Sequence, residues 1–172
     1  MLTNFIQFVK ENFSSGIYDF HKDELFHNFI YDANTDTDKK VKQFNKWLKE
    51  HQLDYCYMYH GTDGAIPIEQ QGIKRTSAKT KKSYQSAVGF VYLSIYPSMA
   101  RTFAEIAYPY SKDIAVYRVM VQIGDLLPDK DQLRNKRLYS NMNLGDTLAE
   151  SIMFGSGARV KTDINPNTLT RM

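Results

Sequence analysis

A single cysteine, Cys56, stands in the 172 residues. No disulfide within the chain can form, and a reducing, cytoplasmic compartment is the expectation. The thiol sits in the apolar run Tyr55-Cys56-Tyr57-Met58-Tyr59, which marks it as a buried small hydrophobe rather than a nucleophile. No apolar stretch approaches the ~20 residues that a membrane-spanning helix needs. The opening MLTNFIQFVKENF has no basic region ahead of its apolar part, and Lys10 and Glu11 interrupt it, so it does not read as a secretory leader. Metal-ligand spacing is missing: His21, His27 and His51 stand apart, with no HExxH and no paired CxxC. There is no Walker loop, no GxGxxG and no GxSxG elbow. Rossmann-type nucleotide binding and hydrolase serine chemistry therefore have no support. A net charge of +3 is too small to argue for nucleic acid by itself.

What is present describes a globular chain. Apolar residues make up 42%, enough for a real core in a chain of this length. The 12 Tyr and 10 Phe suit core edges and ring-binding pockets alike. Residues 1–50 read as a helical cap. Phe5, Ile6, Phe8, Val9 and Phe13 form one stripe, closed by Ser14-Ser15-Gly16. Leu25, Phe26, Phe29 and Ile30 form a second stripe, and Val41, Phe44, Trp47 and Leu48 a third. Asn34-Thr35-Asp36-Thr37-Asp38 between the last two offers an N-cap.

The texture changes after Gln52, and residues 51–172 read as one α+β domain. Residues 55–60 look like a central strand, 66–71 a short helix ended by Gly72, and 74–87 a basic, polar loop with Lys74, Arg75, Lys79, Lys81 and Lys82. Residues 90–94 read as a strand, 97–106 as a helix with Pro97 at its first position, and 114–123 as the clearest strand of all. A polar stretch is expected from Leu127 to Gly145. Two strands, 149–154 and 158–164, are expected around a hairpin turn at Gly155-Ser156-Gly157.

The order of motifs is more specific than any one of them. His60-Gly61-Thr62 leaves the first strand, Gly72-Ile73 follows, then Gly89-Phe90-Val91-Tyr92-Leu93-Ser94 leads into Ser98-Met99-Ala100-Arg101-Thr102-Phe103-Ala104, and Thr147-Leu148-Ala149-Glu150-Ser151-Ile152 comes late. Over about residues 55–165 this resembles the ADP-ribosyltransferase superfamily, in its His-Tyr-Glu branch of diphtheria-toxin-like and poly-ADP-ribose-polymerase-like enzymes. The resemblance implies a split β-sheet core, NAD as substrate, and transfer of ADP-ribose to a macromolecule, a protein side chain before a nucleic-acid base. Small free-standing members of this kind are often bacterial toxins or phage-encoded inhibitors of host defence, anti-CRISPR proteins among them.

The resemblance also assigns roles. His60 would bond the adenine-side ribose, Gly61 would hold the nicotinamide amide through its main chain, and Tyr92 would stack on the nicotinamide. Glu150 would bond the other ribose and stabilise the cation left when the glycosidic bond breaks, chemistry related to glycoside cleavage. Phe103 lies where the family places a second ring, and a pyridinium between two aromatic faces gains from both. The family serine that bonds the nicotinamide amide falls on Ala100, leaving Ser94, Ser98 and Thr62 as substitutes. Leu148 removes the paired acidic motif of arginine-specific enzymes. The segment from Asp129 to Gly145, with Arg134, Lys136, Arg137 and Tyr139, occupies the place of the family's target-recognition loop.

Plainer readings stand beside these. His60 alone fits a hydrogen-bonded structural histidine, Tyr92 a strand tyrosine, Phe103 plain core, and the basic run at 74–82 a solvated loop. Glu150 in an apolar strand would be costly to bury unpaired, which favours function or an ion pair with an arginine. Two other activities fit the same residues: an NAD glycohydrolase with water as acceptor, and a binding module without chemistry.

Overall fold

The computed structural model describes residues 17–77, 86–140 and 142–172. The first helical stripe, with Phe5, Ile6, Phe8, Val9 and Phe13, and the basic positions Lys79, Lys81 and Lys82 lie outside the described residues. The described chain is a mixed α/β structure built on a seven-stranded sheet.

Strand β1 (Ile17–Asp19) leads into helices α1 (Glu24–Tyr31) and α2 (Thr37–Glu50). Each helix starts on an aspartate. Asp23 accepts from the backbone N–H groups of Leu25 and Phe26, and Asp36 from that of Lys39, satisfying donors a helix start leaves open. Strand β2 (Tyr55–Asp63) and helix α3 (Ile68–Gln71) follow, with Gly72 closing α3 at φ 71°. Then come β3 (Val91–Ser94), α4 (Pro97–Ala107) with Pro97 in its first turn, and β4 (Ile114–Gln122). These match the sequence reading closely.

Three stretches differ from it. The first 50 residues are not all helical, because β1 pairs in parallel with β2, Ile17 opposite Tyr55. The polar stretch after residue 126 is mostly regular: β5 (Leu127–Pro128) and helix α5 (Lys130–Ser140), started by Asp129, whose Oδ1 accepts from the N–H groups of Asp131 and Gln132. The expected strand at 149–154 is helix α6 (Leu148–Gly155), ended by Ser156 in the left-handed conformation at φ 55°. Gly155-Ser156-Gly157 is therefore a helix end running into β6 (Gly157–Val160), not a hairpin turn. In the rest of the expected strand, Ile164 makes an isolated bridge to Ile73. Strand β7 (Leu169–Arg171) ends the chain.

The strand order is β5-β6-β3-β2-β4-β7, with every pair antiparallel except β1 with β2. Strand β2 pairs with β4 along its whole length, so β1 and β3 share its other edge. The β3 pairing is a single position, Tyr59 opposite Ser94. Beyond it, residues 60–63 pair with β4 alone, and the sheet opens between β2 and β3.

Alternation puts Cys56, Met58, His60 and Thr62 on one face of β2, and Tyr57, Tyr59 and Gly61 on the other. The first face carries the main core. Phe26, Phe44 and Trp47 of α1 and α2, Ile152 of α6, and Val119 and Val160 of the sheet belong to one buried cluster. Fully burying each such side chain contributes roughly 2–3 kcal/mol. The opposite face is covered by α4 over a small second cluster of Tyr59, Ala100 and Val116.

Candidate functional site

His60 and Tyr92 meet where the sheet opens. The His60 Nδ1 lies 2.9 Å from the Tyr92 carbonyl oxygen. A carbonyl can only accept, so Nδ1 carries the proton and donates it, and Nε2 of the neutral ring is left as an acceptor. Burial holds the imidazole below its usual pKa, opposed by the bond to the Tyr92 carbonyl. The ring is neutral at physiological pH, and Nε2 can take a hydrogen bond from a sugar hydroxyl. Among the described residues no side chain or backbone group occupies Nε2.

Gly61 is next on β2, on the α4 side. A Cβ built there would stand 2.1 Å from the Ala100 carbonyl oxygen and 2.9 Å from the Ala104 Cβ. The absent side chain lets α4 lie directly on the strand. Thr62, on the His60 face, is 2% exposed.

The Tyr92 phenol is held at its tip. It donates to Asp131 Oδ2 at 2.6 Å and accepts from the Ala87 N–H at 2.7 Å. Burial, with the Asp131 bond adding to it, pushes the phenol well above its usual pKa, so it stays protonated as a donor. Opposite Tyr92 in the ladder is Arg159. Its guanidinium lies 4.0 Å over the Phe90 ring and 3.7 Å from Asp131 Oδ2, and the residue is 8% exposed. Asp129, two residues before Asp131 and the cap of α5, is also buried, and burial raises its pKa to about 6.

The other expected site residues are placed differently. Ser94 Oγ donates to the Ser156 carbonyl at 3.0 Å and accepts from the Tyr96 N–H at 3.1 Å, so it ties the end of α6 to the start of α4. Ser98 is exposed on α4. Phe103 is 37% exposed on α4 and belongs to neither core cluster. Glu150 is on α6, not on a strand. Its Oε1 accepts from the Gly145 N–H at 2.6 Å, and its Oε2 from the Thr147 N–H at 3.1 Å and Thr147 Oγ1 at 2.7 Å. Thr147 Oγ1 in turn accepts from the Glu150 N–H, completing a capping box. Neither an arginine nor an open strand position explains its burial; three donors from its own helix start do. Among the described residues, no hydrogen bond or ion pair joins Glu150 to His60 or Tyr92.

The α5–α6 connection is held by Arg137, whose Nη1 donates to the Leu144 and Gly145 carbonyls and to Asp146 Oδ1. Arg134, Lys136, Leu138 and Tyr139 of α5 face solvent, Tyr139 at 85% exposure. The sequence reading missed Asp129, Asp131 and Arg159. Two signals were there: an aspartate after Pro128 where a helix could start, and a charged residue inside the apolar Ala158-Arg159-Val160.

Comparison of the chain with protein-family models, with curated proteins and with solved structures finds no match. Among the described residues there is no grouping of side chains that could hold a metal ion, and no helix long and apolar enough to cross a membrane.

Proposed function

We propose that this chain binds NAD and transfers its ADP-ribose group to a macromolecular acceptor, with a protein side chain preferred over a nucleic-acid base. The observation that carries the reading is the junction at the sheet's opening. His60 and Tyr92 are 32 positions apart, yet the imidazole is fixed on the Tyr92 carbonyl in the tautomer that leaves Nε2 free to accept. Gly61 stands beside it on a strand edge with no strand partner toward β3.

In this reading Nε2 of His60 accepts from a ribose hydroxyl, and the Tyr92 ring packs on the nicotinamide. The glycosidic C–N bond breaks with its electron pair leaving on nicotinamide. The ribosyl cation is captured by a nucleophile of the acceptor, which gives up a proton. The Glu150 carboxylate supplies the negative charge that steadies the cation.

A second reading, NAD binding without chemistry, is favoured by one observation: the Glu150 carboxylate already accepts three hydrogen bonds from Gly145 and Thr147. Glu150→Gln separates the two, because glutamine keeps a capping box and removes the charge. With labelled NAD and a host-cell lysate, transfer requires labelling by the wild type and a loss of about 100-fold or more in Glu150→Gln at nearly unchanged NAD affinity. His60→Ala should weaken NAD binding. Labelling undiminished in both variants ends this mechanism. NAD binding with neither label nor nicotinamide release assigns the non-catalytic module, and nicotinamide release without label assigns a glycohydrolase.

A further inference from the structure

We infer that Asp131 is a positioning residue that fixes the Tyr92 ring for the ligand, an inference that rests on the NAD reading above. A tyrosine in a strand is pinned at Cα, but its ring still turns about two side-chain bonds. Here the far end is pinned as well. Asp131 Oδ2 accepts a hydrogen bond from the phenol at 2.6 Å, and the Ala87 N–H is shared between the phenol oxygen at 2.7 Å and Asp131 Oδ2 at 3.2 Å. Three chain segments therefore meet at one hydroxyl: β3, the start of α5, and residue 87 ahead of β3.

Asp131 is itself held in place. Its N–H donates to Asp129 Oδ1 at 3.1 Å, so the cap of α5 sets its position. The Arg159 guanidinium, 3.7 Å away, partly balances its charge and is clamped in turn against Phe90. Tyr92 and Arg159 face one another across the β3–β6 ladder, so the whole group moves with the sheet. Through the Tyr59–Ser94 pair, Tyr92 is on the same sheet face as Gly61, the face that α4 covers at Gly61. Orienting an aromatic platform before the ligand arrives lowers the entropy that binding must overcome. An aspartate serving only the first turn of α5 would have no reason to bind the Tyr92 hydroxyl.

The test compares Asp131→Ala, Asp131→Asn and Tyr92→Phe in the full chain. NAD binding is followed by calorimetry, and the Tyr92 hydroxyl proton by NMR. Asp131→Ala and Tyr92→Phe should each weaken NAD binding about tenfold, the double variant no more than either single one, since both remove one interaction. Asp131→Asn keeps an acceptor and should stay within about threefold of the wild type. The Tyr92 hydroxyl proton should exchange slowly with water in the wild type and be lost to fast exchange in Asp131→Ala. Unchanged NAD affinity in folded Asp131→Ala, or multiplied losses in the double variant, overturns the inference. So does a Tyr92 hydroxyl proton that exchanges equally fast in wild type and Asp131→Ala, and this readout needs no ligand. A wild type that gives no heat with NAD while its Tyr92 hydroxyl is still held by Asp131 instead removes the NAD reading and leaves the contact standing.

Discussion

Gly61 is asked to do two things by one absent side chain. In the NAD reading its main chain lies against the ligand, which only glycine allows without obstruction. In the structure its α-carbon also faces the Ala100 carbonyl, with no room for a methyl group at 2.1 Å. That neighbour is helix backbone and cannot swing aside. Gly61→Ala must therefore push α4 off the strand, whether or not NAD binds there. Overpacking of this kind costs about 1–3 kcal/mol, a fall in Tm of several degrees for a chain of this size. A thermal melt without ligand is the check, and an unchanged Tm would mean that α4 does not rest on Gly61. His60 shows a similar economy. The same bond that fixes its tautomer ties β2 to β3 where the ladder has already ended.

At the scale of elements, the start of α5 carries a pH-dependent strain. Asp129 caps the helix through Oδ1, yet it is buried, and burial lifts its pKa from 3.8 to about 6. A raised carboxylate makes the fold most favourable while it is protonated. The benefit is present below about pH 4 and is lost as pH rises through about 6. A shift of about two units corresponds to roughly 3 kcal/mol at most. Asparagine caps a helix as well as aspartate does and carries no charge to bury. Asp129→Asn should therefore be more stable than the wild type at pH 7 and should lose that advantage by pH 4. His60 works in the opposite direction: its depressed pKa makes stability fall as pH drops below about 6.5. Because both proteins keep His60, its contribution cancels in the difference. Urea melts at pH 4, 5.5 and 7 measure it, and a difference that does not change with pH would refute a buried, strained Asp129.

The elements also show what could be read without coordinates. Strands β2, β3 and β4 and helices α1, α2 and α4 declare themselves through dense apolar runs, aspartate caps and Pro97. Helix α6 does not, because Ala149, Ser151, Ile152 and Met153 are buried nearly all round and leave no helical period. Helix α5 hides for the opposite reason: Leu133 is its one buried residue, so it reads as polar loop. Strand β1 is three residues long, too short for alternation to register. Of the candidate site, His60, Gly61 and Tyr92 could be singled out because a local pattern carries them. Asp131 was not, since its contact with Tyr92 spans 39 positions and no local rule links them. Glu150 was legible as a residue, but its company was not: the Thr147 capping box spells Thr-x-x-Glu and is masked by the apolar residues after it.

For the molecule as a whole, the question is whether residues 17–50 form a separable cap or share the core of the sheet that carries His60 and Tyr92. Trp47, the chain's single tryptophan, is 1% exposed. It stacks on Phe44 at 5.7 Å and lies 5.1 Å from the ring of Tyr18, which belongs to β1 and so to the sheet. One buried cluster runs from Phe26 and Trp47 to Met58, Val119 and Ile152 without interruption. Helices joined to a sheet by a continuous core should not unfold before it. Tryptophan fluorescence reports the helical part, and the NMR signals of His60 report the opening of the sheet. Both should follow one denaturant curve, as a two-state chain requires. Trp47→Ala leaves a large cavity in that shared core and should cost about 3–5 kcal/mol. The loss should appear equally at His60, more than 10 positions away in sequence and on another element. Two separated transitions, or a Trp47→Ala protein whose His60 signals melt as in the wild type, would make the helices an appendage. Coincident curves would mean instead that any partner loosening the helices also acts on the place where His60 and Tyr92 meet.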